Sequence, residues 1–418
     1  MTDSFKRFDM AKEPVRQWLI LRDFIKAVSW FKLRIHKTSI RRTGVDGIKP
    51  PYLLLCNHNA FFDFFVASTC VWPARANFVV AIDGFTTPSG KNGFTSRETI
   101  MRLAGCICKR KFTSDTTLVR NLMKIIDNGD VPILYPEARY SLCGTDAVLP
   151  ESLGKLCKLL KVPVVTLICH GHHVNSPFWH VGNRGVKPTE AEFSLFATPE
   201  QLKEMSVEEI NRGLDARFTY DDFRWLEQSG QIIDTPTRAE GLHKVLYQCP
   251  HCGKEYRMGS EGDTLFCSEC GKRWKMGTDG SLAAENGDTE FAHIPDWYEW
   301  ERQNVRKEVE SGTYGITCPV HVESLPNSKG YIHLGKGTMT HGMDGFHVSV
   351  DGPYGHFEMD KPVASMYSCH IEYDYLGRYG DCVDLNTLED TWYTYPEIKD
   401  FSVTKMALAT EELYRSRQ

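Results

Sequence analysis

Two groups of residues in this 418-residue chain have the types and spacing to do chemistry. The first is Asn57-His58-Asn59-Ala60-Phe61-Phe62-Asp63, directly after the apolar run Leu53-Leu54-Leu55-Cys56. Five residues on a regular helix turn ~140°, so His58 and Asp63 could not share a face if both were mid-helix. With His58 on an entering turn and Asp63 in the first helical turn, the carboxylate can reach one ring nitrogen and leave the other to take a proton. That is a general base with its orienter, a device worth ~10²- to 10⁴-fold. An aspartate in the first turn also complements the positive end of the helix dipole. Taken alone, His58 reads more readily as a satisfied structural histidine, so a catalytic role rests on the other motifs.

The second group is Cys249-Pro250-His251-Cys252 and Cys267-Ser268-Glu269-Cys270, two C-x2-C pairs fourteen residues apart, each followed by glycine (Gly253 and Gly271). Four thiolates at this spacing suit tetrahedral Zn²⁺ in a closed, structural zinc ribbon. A ribbon of this size has too little core to hold itself, so metal binding is largely its folding free energy. Redox use of either pair is the weaker alternative. Cys56, Cys106, Cys108, Cys143 and Cys169 sit in apolar or mixed surroundings and read as small buried residues. The run Cys169-His170-Gly171-His172-His173 has no second ligand pair nearby and makes a poor metal site.

The elements that must position these groups follow from hydrophobic patterning. Between Pro51 and Cys169 the runs 52–56, 78–82, 131–135 and 164–169 are continuously apolar and separated by helix-compatible segments. That pattern predicts an α/β domain with a mostly parallel sheet covered on both faces, whose site lies at the carboxyl ends of the strands. Residues 199–246 are charged and helix-compatible. Residues 14–34 place Trp18, Leu19, Leu21, Ile25, Val28 and Phe31 near helical spacing among arginines and lysines. This is a basic amphipathic helix suited to a lipid interface, or else to packing on its own domain. From Thr278 onward, alternating segments such as Gly330–Leu334 and Phe346–Val350 predict a small antiparallel β domain ending in a helix over 403–415. Its pattern is reminiscent of a pleckstrin-homology-like barrel. The expected division is 1–44 interfacial helix, 45–235 α/β domain, 236–277 linker and ribbon, and 278–418 acidic β domain.

Composition narrows the class. Apolar residues make up 41% and charged residues 25%, which is globular usage and excludes collagenous, coiled-coil and wholly disordered chains. The net charge of −5 argues against a nucleic-acid coat, yet it hides a split. Residues 1–44 carry 11 Lys/Arg against 4 Asp/Glu, whereas 278–418 carry 11 against 24. The ribbon's charges nearly cancel, so no nucleic-acid partner is expected. Fourteen scattered cysteines, the lack of a signal-like N-terminus and the lack of a long apolar run lead us to expect a cytoplasmic protein. Membrane contact is expected to be peripheral, at the inner face.

Four blocks in order resemble the glycerolipid acyltransferase family, typified by 1-acylglycerol-3-phosphate acyltransferases. Asn57-His58 through Asp63 matches its N-H-x4-D signature. Gly105-Cys106-Ile107-Cys108-Lys109-Arg110-Lys111 is similar to its G-x-I-x-x-x-R block, with Lys111 at the arginine position and Arg110 one step early. Tyr135-Pro136-Glu137-Ala138-Arg139-Tyr140-Ser141 is similar to its F-P-E-G-x-R-S block, with Ala138 for a glycine and Arg139 one residue early. Val162-Pro163-Val164-Val165 is similar to its short V-P-x-x strand. The resemblance spans roughly residues 45–220.

It implies an O-acyltransferase of phospholipid biosynthesis, with acyl-CoA or acyl-carrier protein as donor. The acceptor would be a lysophospholipid, 1-acylglycerol-3-phosphate or a related glycerolipid. His58 and Asp63 would be catalytic, and Asn57, Lys109, Arg110, Lys111, Glu137 and Arg139 would bind substrate. A glycerophosphate needs guanidinium or ammonium partners, which Arg139 and Lys109 to Lys111 can supply. Glu137 would brace those cations, bond an acceptor hydroxyl or serve structure alone. Because the second and third blocks are altered, the alternative is a non-catalytic, zinc-dependent, lipid-binding scaffold.

Overall fold

The computed structural model describes residues 5–87 and 96–417. Seven strands form the first sheet: β1 (Ser39–Thr43), β2 (Leu53–Cys56), β3 (Ala76–Ala81), β4 (Ile107–Lys109), β5 (Val131–Leu134), β6 (Val164–His170) and β7 (Glu190–Ala197). Their order is β1-β7-β6-β2-β5-β3-β4. From β6 to β4 every pairing is parallel; β7 runs antiparallel to β6 and parallel to β1. The four expected runs are strands of this sheet. The other three, β1, β4 and β7, are short or alternate polar residues, which hid them. Strand β1 lies within the segment expected to be interfacial helix only, so the sheet starts before residue 45.

The helices are α1 (Leu19–Ile35), α2 (Asp63–Val71), α3 (Arg97–Leu103), α4 (Thr116–Asp127), α5 (Ser152–Leu160), α6 (His172–Asn175), α7 (Pro199–Glu204), α8 (Val207–Phe218), α9 (Asp222–Ser229), α10 (Ile294–Glu310) and α11 (Thr404–Arg415). Strand β2 is buried on both faces, as a central parallel strand must be. Leu53 and Leu55 pack into the cluster with α4, α5, α7 and α8; Leu54 and Cys56 face the opposite cluster, with α2. Helix α1 begins at Leu19 rather than Pro14 and packs on α2, yet Ile20 is 81% and Phe24 65% exposed. Among the described residues no helix is long and apolar enough to cross a membrane.

The ribbon strands β8 (Met258–Glu261), β9 (Thr264–Cys267), β10 (Arg273–Met276) and β11 (Leu282–Ala284) form an antiparallel sheet in the order β11-β10-β9-β8. Its last strand extends past the expected boundary at 277. The final sheet has β12 (Gly315–Ser324), β13 (Ile332–Gly342), β14 (Gly345–Gly352), β15 (Gly355–Pro362), β16 (His370–Glu372), β17 (Cys382–Asn386) and β18 (Thr391–Pro396). They run in the order β15-β14-β13-β12-β18-β17-β16, and α11 follows the last strand. Helix α10 precedes this sheet where only β structure was expected. Its buried face, Ile294, Trp297, Tyr298, Glu301, Arg302, Val305 and Val309, keeps helical spacing, and Pro295 suits its first turn.

The acidic β domain is docked on the α/β domain through buried polar contacts. The Arg110 guanidinium donates to the carbonyls of Leu325, Pro326 and Glu389 and to the Thr391 hydroxyl, at 2.6–3.1 Å. Lys111 pairs with Asp384 at 3.1 Å, and Arg139 with Glu411 at 2.7 Å. Burial opposes ionisation of Asp384 and Glu411. Lys111 and His370 on one, and Arg302 and Arg139 on the other, overcome that and hold both carboxylates at about 2.

A depressed carboxylate contributes stability that is complete above its unfolded value, 3.8 for Asp and 4.5 for Glu, and is lost as pH falls toward the folded value. Tryptophan fluorescence on acid titration is therefore expected to report loss of the docked state between about pH 4.5 and 2. A signal unchanged down to pH 2 would show that these pairs do not hold the interface.

Candidate active site and candidate metal centre

The carboxyl ends of β2, β3, β4, β5 and β6 point the same way, so the turns after them converge. His58 follows β2 and sits between the rings of Tyr135 and Tyr140, each with its centroid 4.2 Å away. Its Nδ1 lies 3.4 Å from the Asp63 carboxylate. Asp63 opens α2 and is fully buried, and Oδ2 also accepts the backbone N–H groups of Asn59 and Ala60 at 2.6 and 3.0 Å. His58 keeps partial exposure and lines a cavity of about 1140 Å³, so the ring edge opposite Asp63 is free to exchange a proton. Asn57 serves the scaffold rather than a ligand: its amide donates to the Cys169 carbonyl and accepts from the Cys169 N–H, tying the β2 turn to β6.

Asp63 has a second partner that the spacing argument missed. The other carboxylate oxygen lies 2.5 Å from His172 Nδ1, and His172 is fully buried at the start of α6. Burial alone would raise the Asp63 carboxyl, but hydrogen bonds with His172 and His58 bring it down to about 2. Asp222 fixes the turn carrying His172 by accepting from the Gly171 and His173 N–H groups at 3.0 and 2.8 Å. Gly171 has φ +81°, and a Cβ there would meet the Trp225 ring at 2.5 Å, so only glycine fits. The signal for His172 was its place directly after a sheet strand, at the active end of the fold.

Glu137 follows β5 and is buried. One oxygen accepts the His58 N–H at 2.8 Å and the other the Ala147 N–H at 3.1 Å. Burial pushes its carboxyl up to about 8 against those two donors. It braces the backbone of His58 and no cation. Ala138 holds φ +56°, a conformation glycine adopts at less cost, in a turn closed by its N–H to the Tyr135 carbonyl.

Of the expected cations, Lys109, Lys111 and Arg139 line the cavity and Arg110 does not. Lys109 donates to the Thr113 carbonyl at 2.9 Å. Lys111 and Arg139 are engaged by the carboxyl-terminal domain, as above. That domain also contributes Tyr367, His370, Glu372 and Tyr375 to the cavity wall, which no local sequence signal disclosed because some 300 residues separate them from His58.

The cysteine quartet converges. All four sulfurs lie within 4.8 Å of one another, with Cys249–Cys270 and Cys252–Cys267 at 3.8 Å. That is the ~3.8 Å edge of a tetrahedron built on ~2.3 Å metal–sulfur bonds. Gly253 and Gly271, at φ +73° and +74°, turn each pair back so that their N–H groups donate to the Cys249 and Cys267 carbonyls. This group could hold a metal ion. Asp63, Cys169 and His172 also cluster, but the Asp63 oxygens are already engaged by two histidines and two backbone N–H groups. All fourteen cysteines are free thiols, so the chain has no disulfide.

Residues 10–170 match the family model described as Acyltransferase. This segment is similar to the acyltransferase family. Its matched span holds the His58/Asp63 pair and both cation-bearing blocks. Among solved structures, the chain is similar to the 1-acyl-sn-glycerophosphate (LPA) acyltransferase PlsC from Thermotoga maritima, at 15% identity and a TM-score of 0.37. The match covers 47% of this chain and 76% of that one. No curated protein sequence matches the chain.

If Asp63 is oriented from both sides, His172→Phe leaves His58 in place but lets its partner drift. Turnover in that variant is expected to fall about ten- to hundredfold through kcat, with KM little changed. An unchanged kcat, measured by steady-state kinetics on folded protein, would assign His172 to packing alone.

Proposed function

We propose that the chain is an O-acyltransferase that moves a fatty acyl group from a thioester, acyl-CoA or acyl-carrier protein, to a hydroxyl of a lysophospholipid or related glycerolipid. The observation that carries this is the His58/Asp63 pair at the wall of a large cavity, within the segment that matches the acyltransferase family. With its Nδ1–H toward Asp63, His58 takes the acceptor's proton as the oxygen attacks the thioester carbonyl. Asp63 stabilises the resulting imidazolium, and the thiolate leaves with that proton. The base acts directly, so no acyl-enzyme on a serine or cysteine is needed. The nearby Cys56 and Cys169 thiols are held protonated by burial and are unsuited to that role.

The protein would work at a membrane surface. The exposed apolar side chains of α1 stand beside arginines and lysines, while Ile25 of α1 and Phe61 reach the cavity itself. A lipid acceptor could thus pass from bilayer to His58 along apolar surface. A cytoplasmic, inner-face location is part of this reading. The four cysteines would hold structural Zn²⁺, since an all-thiolate tetrahedral set suits that ion and leaves no position for substrate. The strand order of the last sheet, a four-strand meander joined to a three-strand one with a closing helix, supports a pleckstrin-homology-like domain.

Two measurements test the reading. His58→Ala is expected to lower acyl transfer at least ~10²-fold while circular dichroism stays unchanged. Retained turnover in that variant removes His58 from the chemistry, whereas liposome binding with no product from any acyl donor and acceptor pair favours the scaffold alternative. Metal analysis of the purified chain is expected to give one zinc per molecule. A strong chelator should release it and destabilise the fold, and a Tm indifferent to chelation would contradict a structural ion.

A further inference from the structure

The charges around the cavity sort acceptors by class. This inference rests on the acyltransferase reading and narrows it. A phosphate monoester carries about −1.5 to −2 at neutral pH and must find cations that are not already neutralised. Of the cations after β4 and β5, Arg110 is turned out of the cavity into the domain interface, and Arg139 is bound by Glu411. Lys111 faces the cavity but is held by Asp384, which His370 also contacts at 3.0 Å. Lys109 is tied to a backbone carbonyl, and Asp115 offsets its charge.

Carboxylates occupy the same wall. Asp83 follows β3, and Glu372 reaches in from β16, where burial raises its carboxyl against the pull of His370, 3.6 Å away; both line the cavity, and both act on Lys111. Tyr140, whose ring stands against His58, lines the same cavity. Two further lysine or arginine residues among the described residues line the cavity, Arg97 and Lys155, and both are exposed, on α3 and α5. An acceptor that reaches His58 through this cavity therefore shares it with carboxylates and tyrosines, and finds Lys111 already paired. Placing a phosphate dianion there sets like charges together, which disfavours it.

We propose that the acceptor's polar end is uncharged, a free hydroxyl of a monoacylglycerol-like lipid rather than a phosphate monoester, and that Glu372 and Asp384 of the carboxyl-terminal domain impose this choice. The same domain that seals the site thereby sets its specificity, by drawing the cations out of use and adding acidic groups.

The full chain would be assayed with one labelled acyl-CoA against 1-monoacylglycerol and 1-acylglycerol 3-phosphate of equal chain length in matched mixed micelles. The neutral lipid is expected to be favoured at least about tenfold in kcat/KM. Glu372→Gln, which removes a carboxylate and leaves the Lys111–Asp384 pair, is expected to shrink that ratio severalfold. A preference for the phosphate monoester overturns the inference and leaves the acyltransferase reading standing. If neither these two lipids nor a lysophospholipid panel is acylated with acyl-CoA or acyl-carrier protein as donor, the acyltransferase reading fails instead, and equilibrium binding of the same two lipids decides the preference. Tighter binding of the phosphate monoester then overturns the inference.

Discussion

The structure depends first on the burial of Arg110. Its guanidinium is 1% exposed and donates to three carbonyls and a hydroxyl of the carboxyl-terminal domain, so it can be neither solvated nor spared. Leaving even one buried acceptor unpaired costs about 1–3 kcal/mol, and the four here lie together. This contact sets the β domain against the carboxyl ends of the parallel strands. From that position Asp384 and Glu411 reach Lys111 and Arg139, and Glu372 and His370 reach the cavity. An open crevice at the edge of an α/β sheet becomes a walled chamber whose charge belongs to two domains.

Inside it, one carboxylate organises the proposed base, His58. Asp63 is fully buried yet ionised because two histidines and two backbone N–H groups surround it. Each donor comes from a turn that something else holds: Asn57 ties the β2 turn to β6, Asp222 grips the Gly171–His173 turn, and Glu137 fixes the His58 backbone. The tyrosines above and below His58 complete the clamp. A residue can thus be indispensable to the geometry of a site without touching a substrate.

The ribbon acts as a bracket. Trp274 packs on Trp297 of α10, the Trp297 indole donates to the Gln248 carbonyl, and Lys405 of α11 reaches Glu255 and Glu308. Helices α10 and α11 are themselves joined by Arg302 with Glu411. Glu411 in turn holds Arg139 of the α/β domain, so the ribbon and the cavity wall are linked through a short chain of buried charges. One hydrophobic cluster runs through all three parts, from Leu142 to Leu413.

The sequence by itself determined whatever depends on neighbours in the chain. Continuous apolar runs specified the buried parallel strands, the N-H-x4-D spacing placed a histidine and a carboxylate at a strand-to-helix turn, and paired C-x2-C knuckles specified a converging cysteine quartet that could hold a metal ion. Strand β1 escaped because it is short, polar and almost wholly exposed, β7 because only half of its residues are buried, and α10 because its charged face obscured the apolar stripe. Only the tertiary structure decided what each cation does. Lys109, Arg110, Lys111 and Arg139 have equal formal charge in the sequence, yet one is tied to its own loop, one is sunk in an interface and two are neutralised by acids far along the chain. A charge acts through the field of everything around it, and burial strengthens that field at close range. Residue type alone does not carry that information; the packing of the carboxyl-terminal domain supplies it.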